Sequence, residues 1–148
     1  MTTSDRPRYR FFLAHHNHSE CSSKCVSIGL GRLKFWVCAR CLGVYSIMAL
    51  VISLDMILKF NLSDTMRAVG FFLLGTAPWA HWALEHFRRR SVGPVFLKTI
   101  SGAFLGFGLG LLLAGHFRNP WNHGFTFSIL MLVIGSSAVV FLESFFRD

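Results

Sequence analysis

Charge is what this 148-residue sequence has least of: Asp, Glu, Lys and Arg together make up 15% of it, and only seven residues are acidic. With 53% hydrophobic residues, the polar complement is too small to cover an ordinary water-soluble domain, and that class is set aside. Recognised catalytic templates are missing as well. There is no P-loop, no G-x-S-x-G, no H-E-x-x-H and no dinucleotide fingerprint, so no familiar enzyme class is indicated and whether the chain is an enzyme stays open. Internal repeats and low-complexity tracts are lacking too, which excludes a solenoid. The first 40 residues contain no apolar core of a cleavable signal peptide, so the first apolar helix is expected to act as its own insertion signal.

Long apolar runs are abundant. A hydrocarbon layer of about 30 Å needs about 20 helical residues to cross it. Four runs reach that length: about Leu42 to Phe60, carrying Asp55; about Met66 to Phe87, apolar until His81, Glu85 and His86; about Val95 to Phe117, with Lys98 near its start; and about Gly124 to Phe146, with Glu143 near its end. None alternates strictly, and backbone groups cannot stay unpaired in lipid, so helices are expected rather than a barrel. The expected fold class is an all-α membrane protein. Residues 42–148 form a bundle of four transmembrane helices, and residues 1–41 a small zinc-knuckle-like segment.

The net charge of +8 is distributed unevenly. Arg6, Arg8, Arg10, Lys24, Arg32, Lys34 and Arg40 precede the first run, Arg88, Arg89, Arg90 and Lys98 surround the second link, and Arg147 ends the chain; Lys59, Arg67 and Arg118 are alone on the alternate side. Positive-inside bias therefore places both termini in the cytoplasm of a multi-pass protein. The Arg clusters read as topology signals and contacts with the lipid bilayer's headgroups, not as a nucleic-acid surface. Phe11, Phe12, Trp36, Trp79, Trp82, Phe145 and Phe146 suit interface anchoring.

All four cysteines fall in one short stretch: Cys21 and Cys25, then twelve residues, then Cys38 and Cys41. In a reducing cytosol a lasting disulfide is disfavoured, and paired cysteines at this spacing read as a tetrahedral Zn2+ site. His15, His16 and His18 lie just upstream. A set of His16 or His18 with Cys21, Cys38 and Cys41 is as reasonable as four sulfurs, with the intervening loop closing as a knuckle or short hairpin turned by Gly29 and Gly31. Nearby Lys24, Arg32, Lys34 and Arg40 favour the thiolate form that metal binding requires. A segment with so little apolar content cannot build its own core, and a structural metal would supply the missing folding energy. A thiol redox pair, and cysteines that bind nothing, are the other readings.

The stretch "VCARCLGVY", the His/Cys segment about twenty residues before it and the later "SVGPVFLKTISGAFLGFGLG" resemble the domain of unknown function 2085 family of small integral membrane proteins. The resemblance runs from about His15 to Leu113. It implies that Cys38, Arg40, Cys41, Gly43 and Tyr45 are motif positions, with Cys21 and an upstream histidine matching an earlier element. This chain departs from the pattern in "HNHSECSSKC", where Cys25 is added, and in "PWAHWALEH", which offers His81 and Glu85 where relatives hold an Asp after a proline. The family brings no activity with it.

Ionisable groups inside the apolar runs form a second candidate site. Pro78, His81 and Glu85 share one face of the second helix. A charge at the bilayer centre costs about 2.5 to 3.5 kcal/mol, so such groups face partners or cavities. Asp55 belongs to the opposite end of the bundle from Glu85, so the two are not expected to pair directly, although His81 could bridge part of the distance. Glu85 could instead support a metal-bound histidine. Glu143 is expected to reach water at the helix end, and His116 and His123 flank "FRNPW" in a loop where two histidines could meet a metal. Gly102, Gly106, Gly110 and Ala114 form a small-residue seam suited to packing within the bundle or to a homo-oligomer, and Gly135, Ser136, Ser137 and Ala138 are a possible matching surface.

Three functions are consistent with these features. The foremost is an assembly or interaction module, in which zinc fixes a cytoplasmic platform for a membrane partner subunit. The alternatives are a transporter or ion-handling protein using His81, Glu85 and possibly Asp55, and a membrane enzyme working by thiol redox or metal-assisted hydrolysis.

Overall fold

The computed structural model describes residues 9–11, 24–30, 33–88 and 93–145. Three short strands, β1 (Tyr9–Phe11), β2 (Cys25–Leu30) and β3 (Leu33–Cys38), precede four helices: α1 (Ala39–Leu58), α2 (Asp64–Arg88), α3 (Val95–Arg118) and α4 (His123–Phe145). The molecule is mostly helical. α1, α3 and residues His123–Leu142 of α4 are long and apolar enough to cross a membrane. α2 matches them in length but carries Asp64, Arg67, His81 and Glu85, which lower its apolarity.

The strands form a sheet of order β1-β3-β2, with β1 parallel to β3 and β2 antiparallel to it. Val26 and Ile28 in β2 and Phe35, Trp36 and Val37 in β3 are the β-branched and aromatic residues that favour a pleated surface. Of the two forms expected for this stretch, the hairpin is the one observed. Gly29 lies within β2 opposite Lys34 instead of making the turn, and Gly31 lies outside the described residues. β3 runs directly into α1, whose N-cap is Cys38. The helix thus begins at Ala39 rather than Leu42, which places Cys41 in its first turn.

Local sequence accounts for the helix ends. Lys59 adopts a left-handed conformation (φ 48°, ψ 50°), and its N–H donates to the Asp55 carbonyl, closing α1. The Ser63 hydroxyl accepts the Met66 N–H at 3.3 Å to start α2. Asn122 does the same for α4, accepting the Gly124 N–H at 3.0 Å.

α3 is the centre of the bundle. An added Cβ at Gly102 or Gly106 would stand 2.3 Å from the carbonyl oxygen of Arg40 or Val44, and one at Gly43 would stand 2.3 Å from that of Thr99. The α1 and α3 backbones therefore touch, which only glycine at these positions permits. The seam of Gly102, Gly106 and Gly110 packs within the bundle, on α1. It does not meet the small patch of α4: Gly135 there faces the Trp79 ring, and Ser136 accepts the Trp79 Nε1–H at 3.1 Å. Tertiary packing decides this, because the α4 patch is filled by an indole from α2. On the opposite side of α3, Gly108 approaches Gly75 and Phe71. Phe71, Leu112 and Phe125 make the buried core, with Leu109 and Leu132 packed on it. Large apolar side chains such as Ile57, Leu73, Phe96, Phe127 and Phe141 point outward, the inverted pattern of a lipid-facing surface.

Candidate functional site

Cysteine chemistry converges where the hairpin meets α1. Cys25 and Cys38 are cross-strand partners, which places their side chains on one face of the ladder. Both are buried, at 5% and 4% exposure, and Cys41, half-buried, hydrogen-bonds with Cys38 from one helical turn on. None of the three is in a disulfide. Among the described residues no group of three or more His, Cys, Asp or Glu side chains stands close enough to hold a metal ion. The remaining expected donors, Cys21, His15, His16 and His18, lie outside the described residues.

Arg40, between the two motif cysteines, crosses to α2 and donates from Nη2 to Glu85 Oε2 at 2.6 Å, with both side chains largely buried. His81 Nδ1 lies 4.0 Å from the same carboxylate oxygen while the ring is 54% exposed. Lys98, buried at the start of α3, lies within the electrostatic reach of Glu85, Arg40, Lys24 and Cys38. Glu85 therefore faces Arg40 directly, with His81 at 4.0 Å and Lys98 within electrostatic reach. The Nε atom of Arg40 is buried and has no hydrogen-bond partner among the described residues.

Asp55 belongs to a separate cluster at the other end of α1. Fifteen residues of helix put it about 22 Å from Arg40 along the axis. Its Oδ1 accepts from Arg67 Nη2 at 2.8 Å and its Oδ2 from Arg118 Nε at 2.9 Å. Arg67 is only 1% exposed and also donates to the carbonyls of Phe60 and Leu62. Arg118 donates to the carbonyls of Asp55 and Phe60. Asp55 and Glu85 thus have different partners, and among the described residues His81 approaches Glu85 and not Asp55.

Sequence reasoning treated Arg67 and Arg118 as topology charges and missed them as partners of Asp55. The available signal was an acid in one apolar run with a base one loop later in the next. Arg40 was read as a motif position and a charge near the thiols, without Glu85 as its partner. His116 meets Thr126 Oγ1 at 3.4 Å, and it and His123 are part of no metal-competent group among the described residues. The side chains of His86 and Glu143 lie outside the described residues.

No family model matches the chain, and no curated protein or solved structure is detectably similar to it. Among the described residues, the fold and these two clusters define a mostly helical protein with four helices, three of them suited to crossing a membrane.

Proposed function

We propose that the chain is an integral membrane protein of four spans with both termini in the cytoplasm, and that its N-terminal segment holds one structural zinc ion as a platform for assembly with a partner subunit. The observation that supports this reading is the spacing of Cys21, Cys25, Cys38 and Cys41 in the sequence, with Cys25 and Cys38 as cross-strand partners; the described residues by themselves form no metal-competent group. Cross-strand pairing and a helical turn bring together cysteines that the sequence separates. Cys21, or His16 or His18, would complete a tetrahedral donor set. The resemblance of "VCARCLGVY" and its surroundings to the domain of unknown function 2085 family agrees with a small membrane protein. It adds no activity.

Cytoplasmic topology rests on the twelve basic residues expected on one side against three on the other. Span status for α2 rests on its 25-residue length and on ion pairs that neutralise Arg67 and Glu85. The ion-handling alternative would need a mobile acid, whereas Glu85 is held by Arg40, and Asp55 by Arg67 and Arg118. A thiol redox pair would use Cys38 and Cys41, of which Cys38 is buried and Cys41 half-buried.

Metal analysis of the purified full chain tests the proposal. About one zinc per chain, with thiols protected from alkylation until a chelator is added, is the expected result. Metal-free protein whose thiols react at once overturns it.

A further inference from the structure

We propose that Cys25 and Cys38 are a reversible dithiol that closes as a cross-strand disulfide when the chain is oxidised, so that redox state decides how firmly the sheet is tied to the start of α1. The register places the two residues directly opposite each other at the end of the β2–β3 ladder. Opposed residues of an antiparallel pair have Cα atoms about 4.5 to 5.5 Å apart, within the span of about 4.4 to 6.8 Å that a disulfide bridges. Their side chains leave the same face of the sheet. Both are buried, at 5% and 4% exposure, and neither is in a disulfide here. Closure therefore needs neither a slip in register nor a new strand pairing. Spacing alone nominates a different couple, Cys38 and Cys41, which share one C-x-x-C and are joined by a hydrogen bond. A link between those two closes a small ring in the first turn of α1, whereas Cys25–Cys38 encloses residues 26–37. A disulfide restricts the unfolded chain more as its loop lengthens, so the cross-strand link is the more stable one.

The reaction is a two-electron exchange with a small disulfide, RSSR. One cysteine thiolate displaces RS− and forms a mixed disulfide; the other thiolate attacks the protein sulfur of that bond and expels the second RS−. The two thiol protons end on the released RS− groups, giving one Cys25–Cys38 bond and two RSH. Excess RSH runs the same steps backwards. Local opening of a sheet of three short strands admits the oxidant to the buried pair. In a reducing compartment such a link is transient, the behaviour of a sensor and not of a permanent staple. Cys38 is both the last residue of β3 and the N-cap of α1, and the adjoining turn lies on α3, where the Arg40 carbonyl occupies the place of a Cβ on Gly102. Closure thus ties β2, as well as β3, to the bundle. The proposal stands apart from the metal reading, because a disulfide takes Cys25 and Cys38 away as ligands and makes the oxidised and metal-bound chains alternative states.

The test equilibrates the full chain, in detergent micelles, with glutathione buffers of rising oxidised-to-reduced ratio, then quenches in acid, alkylates and digests with trypsin. Cleavage after Lys24, Arg32, Lys34 and Arg40 puts the four cysteines on four separate peptides. The expected product is the Cys25 peptide joined to the Cys38 peptide, reversed by excess dithiol, with Cys41 alkylated. Cys41→Ser should form the same link at a ratio near that of the parent. Cys25→Ser, left with Cys38 and Cys41, should need a ratio about five- to tenfold more oxidising before those two join. Amide hydrogen exchange over β2 should slow about tenfold on closure. Parent protein that joins Cys38 to Cys41 in preference, or that joins either member of the pair to Cys21, overturns the proposal, as does a parent whose Cys25 and Cys38 both stay open to alkylation at the most oxidising ratio. A chain that closes the link but holds no zinc in its reduced form leaves the proposal standing and removes the metal reading alone.

Discussion

Asp55 and Arg67 form a buried ion pair at 2.8 Å across the turn between α1 and α2. The two residues are twelve positions apart, on helices that run in opposite directions. Taking two charges out of water is expensive, and removing one partner leaves the other buried and uncompensated. Asp55→Ala is expected to destabilise the protein by about 3 to 5 kcal/mol, read as a lowered unfolding transition in detergent. The double substitution Asp55→Leu with Arg67→Met should recover most of that loss, because the remaining partner, Arg118, is 36% exposed and keeps its hydrogen bonds to the carbonyls of residues 55 and 60. An Asp55→Ala protein as stable as the parent would show that Arg67 finds another anion.

The contact of α1 with α3 sets a steric limit. A Cβ at Gly106 meets the Val44 carbonyl at 2.3 Å, a separation that needs backbone movement. Gly106→Leu is expected to cost at least about 1 to 3 kcal/mol, measured as loss of thermal stability and of monodisperse protein in micelles. Gly29→Ala, where nothing lies within 4 Å of the new methyl, should leave both quantities near the parent values. Equal behaviour of the two variants would mean that α1 and α3 are further apart than described.

These two clusters show how far the sequence could be read. Long apolar runs declare helices, since a chain that offers about 20 apolar residues in lipid has few ways to pair its backbone. The row of Gly102, Gly106 and Gly110 announced a close helix contact but not its partner, because α1 and α4 both carry small residues and only the three-dimensional arrangement chooses between them. Asp55 was recognisable as a polar group in need of a partner. Its pairing with Arg67 and Arg118 was not, because it depends on how the ends of three helices are brought together. The cysteine cluster was evident from spacing alone, while Arg40–Glu85 joins positions 45 apart, a separation at which local patterns carry no information.

α4 is attached to α2 by a small polar link. Trp79 Nε1 donates to Ser136 Oγ at 3.1 Å, and the indole ring covers Gly135. Hydrogen bonds between membrane helices are worth about 0.6 kcal/mol on average, so Ser136→Ala should reduce stability by about that amount. Gly135→Leu is expected to do more, because the ring then has no place to lie. Disulfide cross-linking between engineered cysteines on α2 and α4 reads the separation: cross-linking should fall sharply in Gly135→Leu and only slightly in Ser136→Ala. The reverse order would assign the attachment to the hydrogen bond instead of the packing.

Removal of the proposed metal should affect the hairpin and spare the bundle. β1, β2 and β3 make a sheet of only three short strands, and so small a sheet is marginal in water without further support. The four helices have their own contacts, in the Phe71, Leu112 and Phe125 core, along the α1–α3 seam and at the Asp55 cluster, none of which involves cysteine. Chelation is therefore expected to leave the helical circular dichroism signal nearly unchanged while thiol alkylation accelerates and proteolysis opens between Cys25 and Cys38. Cys38→Ser should reproduce that pattern without chelator. If chelation instead melts the helices, the bundle depends on the centre at its end, and the division between a metal-held segment and a self-sufficient helical body has to be abandoned.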